Sequence, residues 1–192
     1  MKYKKWQRIA IMVVFVGLLL LSSCSEPSPE AGPVTTEPAS SPVVTSSTHE
    51  TDNPDRAPDF SVLNADGETV KLSDFFGKPI VLNFWASWCP PCKAELPDFE
   101  AACKEYDGEV VFLMVNLTDG QRETLEIAKD FIASQGYTFP VYFDTTYRAA
   151  YAYGISSIPT TYFINADGTL EAQATGMISA AQLEQGIRKI LN

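Results

Sequence analysis

Histidine is almost absent, with His49 the single one in 192 residues, and cysteine is scarce, with four at positions 24, 89, 92 and 103. That scarcity argues against metal chemistry. Structural zinc needs about four N or S ligands. Cys103 lies 11 residues beyond Cys92, roughly 16 Å along a helix at about 1.5 Å per residue. A copper-delivery site would want a histidine beside its cysteine pair, and residues 58–192 contain none. Long apolar runs are also missing. The longest, Ile9–Leu21, has 13 residues, short of the roughly 20 needed to span a bilayer. Basic residues are few, 14 against 24 acidic ones for a net charge of −10, which argues against nucleic acid or an anionic membrane face as partner.

The short apolar run has another use. Lys2, Lys4, Lys5 and Arg8 precede it without an acid among them, and Leu21-Ser22-Ser23-Cys24 ends it. A basic start followed by a run of this length suits a signal peptide. Its end resembles a bacterial lipobox, in which lipid is attached to the Cys thiol and the chain is cleaved just before it. Residues 1–23 are therefore expected to be removed, leaving lipid on Cys24 as a membrane anchor outside the cytoplasm. Loss of those four basic residues leaves 10 against 24 acidic ones, a net charge of −14. Residues 24–57, rich in Pro, Ser, Thr and Glu, cannot bury enough apolar surface to offset chain entropy and are expected to form a disordered tether. His49 falls there and is expected to be solvated.

Residues 58–192 suffice for one buried core. Phe60–Leu63 and Thr69–Leu72 predict strands around Asn64-Ala65-Asp66-Gly67, whose Asp-Gly pair suits a hairpin. Ser73 is expected to cap a short helical turn ended by Gly77. Ile80–Trp85 is nearly continuously apolar, as in a strand buried on both faces, and Val110–Asn116 predicts another. A helix is expected over Glu123–Ser134, a strand over Val141–Phe143 and a helix over Thr146–Tyr153. Strands Thr161–Ile164 and Leu170–Thr175 flank the turn Asn165-Ala166-Asp167-Gly168, and Ser179 caps a last helix ending at Leu191. Alternating strands and helices followed by a hairpin and helix indicate an α/β sandwich with a mixed sheet.

The chemistry concentrates in Trp85-Ala86-Ser87-Trp88-Cys89-Pro90-Pro91-Cys92, between the apolar strand and a stretch, Lys93–Tyr106, of helical character. A helix N-terminus favours thiolate over thiol, so Cys89 is expected to carry the lower thiol pKa of the pair. Pro90 and Pro91 cost little in a first turn, where their missing N–H groups have no partner anyway. Cys92, one turn on, can close a disulfide or resolve a mixed one. At about 100° per residue, Leu96, Phe99, Cys103 and Tyr106 share one side with Cys92. Glu95 lies at its edge, and Lys93, Glu100 and Lys104 lie roughly opposite. Pro97 is expected to kink this helix. Cys103 is expected to pack as a small apolar residue.

Ala57-Pro58-Asp59-Phe60, Gly77-Lys78-Pro79, the strand into Trp-Cys-Pro-Pro-Cys, Pro97 and Ile158-Pro159-Thr160-Thr161 resemble the membrane-anchored thioredoxin-like proteins of the TlpA/ResA type. The similarity covers residues 57–192. It implies a thioredoxin fold with an N-terminal β-hairpin and a central insertion within Leu117–Pro140. It further implies that Cys89 attacks, that buried Cys92 resolves, and that Pro159 is a cis-proline facing the disulfide. Trp88, Pro90, Ile158 and Pro159 would then dock the substrate peptide. Cytosolic thioredoxin keeps its buried acid six residues before the first Cys, where this chain has Asn83. Glu95 matches instead the active-site acid of the ResA-like branch.

The resemblance implies an extracytoplasmic thiol-disulfide oxidoreductase, most simply a monomer, that needs no cofactor. It would take electrons from a membrane donor of the CcdA/DsbD type. Its clients would be protein disulfides, either apocytochrome c thiols before haem attachment or an extracytoplasmic methionine sulfoxide reductase. A thiol peroxidase would need one peroxidatic Cys in a dedicated Pro/Thr pocket, and the paired Cys fit disulfide exchange better. An intact pair also speaks against a docking lipoprotein without catalysis.

Overall fold

The computed structural model describes residue 53 and residues 55–192. The expected signal peptide, Cys24, His49 and nearly all of the tether lie outside the described residues. The last tether residues join the domain: Arg56 forms an isolated bridge to Thr169, and buried Ala57 donates its N–H to the Gly168 carbonyl.

Seven strands form one mixed sheet. They are β1 (Ser61–Leu63), β2 (Thr69–Lys71), β3 (Ile80–Trp85), β4 (Val111–Asn116), β5 (Val141–Phe143), β6 (Thr160–Ile164) and β7 (Leu170–Thr175). Their order is β2-β1-β5-β4-β3-β6-β7. The inner trio β5, β4 and β3 is parallel, and β1 and β6 join it antiparallel. Hairpins close both edges, β1–β2 at one and β6–β7 at the other. Among the described residues four α-helices accompany the sheet, α1 (Pro90–Glu105), α2 (Leu125–Gln135), α3 (Arg148–Ala152) and α4 (Ala180–Ile190). This is a thioredoxin fold with the N-terminal hairpin that the sequence predicts, and α2 lies within the expected insertion.

Strand β3 is completely buried, and its period of two divides the core. Val81 and Trp85 face a cluster that includes Cys92, Leu96 and Phe99 of α1 and Leu183, Ile187 and Ile190 of α4. Ile80, Leu82 and Phe84 face the opposite cluster, with Phe60, Val62, Ala149 and Tyr153. Asn83, also fully buried, alternates with Val81 and Trp85, so an amide enters the α1 side of an otherwise apolar strand.

Several local expectations change. Ser73 lies inside a 3-10 turn, Leu72–Phe75, instead of capping it. Its N–H and hydroxyl both donate to Asp59, at 3.0 and 2.9 Å. Helix α2 begins at Leu125, because Thr124 caps it by accepting from the Ile127 N–H. Glu123 is thereby released from the helix. Helix α3 is shorter than expected, with Tyr147 before it in the left-handed region at φ 58°.

Candidate active site

Helix α1 starts where β3 ends, and the connecting turn carries the chemistry. The Cys89 N–H donates to the Ala86 carbonyl, closing the turn Ala86–Cys89. Cys89 is the N-cap of α1, and Pro90 and Pro91 fill its first two positions. The Cys92 N–H donates to Cys89 Sγ at 3.2 Å, so the helix terminus directs a donor at this sulfur. Such a donor stabilises a thiolate after reduction. The two cysteines are joined as a disulfide, with Cα atoms 5.3 Å apart. Cys92 is fully buried and Cys89 keeps 3% exposure. Access from solvent is therefore to Cys89 alone.

The Ile158–Pro159 peptide is cis, and the Ile158 carbonyl oxygen lies 3.7 Å from Cys89 Sγ. The Pro159 carbonyl accepts from the Gly176 N–H, which ties the segment before β6 to the segment after β7. Trp88 and Pro90 are exposed and Ile158 is half-buried. Of the four residues expected to dock substrate, Trp88 and Pro90 thus flank Cys89, while Ile158 and buried Pro159 form the cis peptide whose Ile158 carbonyl lies beside the sulfur.

Glu95 is 1% exposed. Its Oε1 accepts from Asn83 Nδ2 at 2.9 Å and its Oε2 from the Ile178 N–H at 2.9 Å. Burial pushes its carboxyl up to about 7, against the lowering effect of those two donors. Nearby Asp98 adds a smaller upward push. Asn83 Nδ2 also donates to Thr161 Oγ1 at 3.0 Å, while Asn83 Oδ1 is buried with no partner. Asn83, Glu95, Thr161 and Ile178 thus form one buried polar cluster within the α1 face of the sheet.

Two acids depart from the sequence reading. Glu100, placed opposite the apolar side, is buried at 9% exposure. Its carboxylate accepts from the Thr138 N–H and hydroxyl and from the Phe139 N–H. Burial alone would raise its pKa, but Lys104 and these donors outweigh it and hold the carboxyl down to about 2. Glu100 does lie away from the apolar side of α1, but Thr138 and Phe139, before β5, pack over it there.

Glu123, expected to open a helix, instead reaches the catalytic turn, fully buried. Oε1 accepts from the Ser87 N–H at 2.8 Å and from Asn116 Nδ2 at 2.6 Å. Oε2 accepts from the Ser87 hydroxyl at 2.6 Å. Its neighbour Arg122 lies over the Trp88 ring, 3.9 Å from the centroid. The available signal was Thr124: read as an N-cap, it would have placed Glu123 outside the helix. Among the described residues no group of three or more His, Cys, Asp or Glu could hold a metal ion, and no helix is long and apolar enough to cross a membrane.

Residues 54–173 match the AhpC/TSA family. The chain is similar to the thiol-disulfide oxidoreductase ResA of Oceanobacillus iheyensis, 39% identical over 134 residues, 68% of each chain. It resembles StoA from Bacillus subtilis, 31% identical with a TM-score of 0.60, over 70% of this chain and 99% of that one. It also resembles the exposed lipoprotein thioredoxin of Streptococcus pneumoniae strain TIGR4, 34% identical with a TM-score of 0.58, over 68% of this chain and 98% of that one. A bonded Cys-Pro-Pro-Cys pair at a helix N-terminus and this kinship lead to one conclusion: the chain belongs to the AhpC/TSA family and is a thioredoxin-fold thiol-disulfide oxidoreductase of the ResA type.

Proposed function

We propose that the protein is a reductase held outside the cytoplasm by lipid on Cys24, passing electrons through Cys89 and Cys92 to client proteins of the kind matured into c-type cytochromes. The observation that carries the disulfide-exchange reading is the asymmetry of the pair. Cys89 alone has access, and Cys92 is buried on the helix that also carries buried Glu95. In the forward reaction the Cys89 thiolate attacks one sulfur of a client disulfide. That bond breaks, the client's other sulfur leaves as thiolate, and a Cys89–client disulfide forms. Cys92, losing its proton, then attacks Cys89 Sγ and expels the second client thiolate. Two electrons have passed to the client, and the Cys89–Cys92 disulfide remains. A membrane dithiol donor of the CcdA/DsbD type would reverse the bookkeeping and restore both thiols.

Trp88, Pro90, Ile158 and Pro159 are assigned to client docking, because Trp88 and Pro90 flank Cys89 in the chain and the Ile158 carbonyl of the cis peptide lies 3.7 Å from its sulfur. Glu95 is assigned as the group that accepts and returns the Cys92 proton. A carboxyl at about 7 is matched to that task near neutrality. Lipid attachment is supported by the Leu-Ser-Ser-Cys end of the apolar run and by similarity to a protein described as an exposed lipoprotein thioredoxin.

Replacing Cys92 with Ser stalls the reaction at the mixed disulfide, so Cys92→Ser in cells should accumulate reducible adducts through Cys89. Apocytochromes c among the trapped proteins would support the proposed client. Capture of a methionine sulfoxide reductase instead would move the protein to a different pathway. Absence of adducts that Cys89→Ser also removes would refute exchange with proteins.

A further inference from the structure

The turn before Cys89 is held from a direction the two cysteines do not explain. Ser87 and Trp88 are its central residues. The Cys89 N–H to Ala86 carbonyl bond closes one side. The other side is closed by a single buried carboxylate, which takes both the N–H and the hydroxyl of Ser87. That carboxylate is itself fixed. Asn116, the last residue of β4, donates to it, and Thr118 Oγ1 steadies the Asn116 amide by donating to its Oδ1 at 2.8 Å. Its backbone is fixed too: Asp119 Oδ1 accepts the Glu123 N–H, and the Gly120 N–H donates to the Glu123 carbonyl. The loop folded in this way carries Arg122 onto the ring of Trp88. Such an arrangement buries a polar side chain that is tolerated only because every one of these hydrogen bonds is made.

We propose that Glu123 is a positioning residue for disulfide exchange, holding Ser87 so that the turn presents Cys89 and Trp88 to the client, with Arg122 on Trp88 as the outer part of the same clamp. The inference rests on the thiol-disulfide activity but not on who the client is. The geometry distinguishes shape from charge. In Glu123→Gln the amide oxygen can keep the Ser87 N–H and Asn116 bonds. The amide nitrogen can donate to the Ser87 hydroxyl, which accepts as readily as it donates. Glu123→Ala leaves the Ser87 N–H and the buried Asn116 Nδ2 without these partners, and the turn must rearrange to find others.

The test is stopped-flow reduction of insulin, and of the small disulfide DTNB, by the reduced full chain in wild-type and variant forms, with thermal unfolding recorded alongside. Glu123→Ala should slow both reactions about tenfold, the equivalent of one well-formed hydrogen bond in the barrier. Glu123→Gln should stay within about twofold of wild type, since its partners are kept. Wild-type rates in a folded Glu123→Ala would overturn the positioning role, and so would a Gln variant as slow as the Ala variant, because the carboxylate would then act by charge. If Glu123→Ala does not fold, Ser87→Ala carries the test. It loses one bond only, should be slowed about threefold, and overturns the inference if it reacts at the wild-type rate. A wild-type protein inactive on both disulfides would instead sink the activity itself.

Discussion

At the scale of single residues, the site turns on acids in unequal surroundings. Glu95 has two donors and no cation, so burial dominates and the carboxyl sits at about 7. Glu100, five residues on, is less deeply buried, and its three donor groups and Lys104 at 2.7 Å outweigh that burial. Asn83 adapts the first of these to both protonation states. As placed, its amide donates to an ionised Glu95 and leaves Oδ1 unpartnered. A half-turn of that amide would let Oδ1 accept from a protonated Glu95 and from the Thr161 hydroxyl. Glu95→Gln removes the exchangeable proton while keeping the shape. Resolution of the mixed disulfide by Cys92 should then slow about tenfold near pH 7. Full general-base catalysis is worth roughly 10²–10⁴, but water can substitute in part. Attack by Cys89 should change little, because its thiolate depends on the helix terminus. Superimposable rate–pH profiles for the two proteins would make Glu95 a bystander.

At the scale of elements, strands and the catalytic helix were legible and the loops were not. Ile80–Trp85 announced itself as a two-sided buried strand because six residues without a charge leave few other fates. Cys89-Pro90-Pro91-Cys92 announced a helix start through the prolines. The insertion was harder. Whether Glu123 opens a helix or leaves it depends on Asn116 and Ser87, residues 7 and 36 positions away, and no local pattern reports them. Glu100 likewise became buried through Thr138, 38 positions on. One packing detail is also invisible in sequence. Gly186, in the middle of α4, would bring a Cβ within 2.2 Å of the Phe163 ring on β6, so glycine is what lets this helix lie on the sheet. Gly186→Ala should gain about 1 kcal/mol of helix propensity and lose more by overpacking, for a net destabilisation of about 1–2 kcal/mol. Urea unfolding measures it, and a stabilised variant would show that Phe163 moves aside freely.

At the scale of the whole molecule, one expectation concerns location and another concerns pH. Cys24→Ala should abolish incorporation of labelled fatty acid and shift the protein from the membrane to the soluble fraction. Equal labelling of both forms would refute the anchor. The pH dependence of stability follows from the two acids of α1. Between the ordinary carboxyl value of 4.5 and about 7 the folded protein keeps a Glu95 proton that the unfolded chain has released. Stability therefore falls as pH rises through that window. Glu100 acts oppositely, because between about 2 and 4.5 the unfolded chain holds the proton and the folded one does not. Stability from that carboxylate therefore rises with pH there. The pair alone would place the maximum near pH 4.5, with Glu95 responsible for a decline toward neutrality on the order of 3 kcal/mol at most. Asp144, raised by burial despite several backbone donors, adds a decline of the same sign. Glu95→Gln should therefore flatten the neutral limb without erasing it and leave the acid limb untouched. Urea unfolding of the oxidised protein at pH 3, 4.5, 6 and 8 tests this in both forms. Parallel curves across pH 4.5 to 8 would mean that Glu95 ionises at the same pH folded and unfolded. A carboxyl that does so could not serve Cys92 as a base tuned to neutrality.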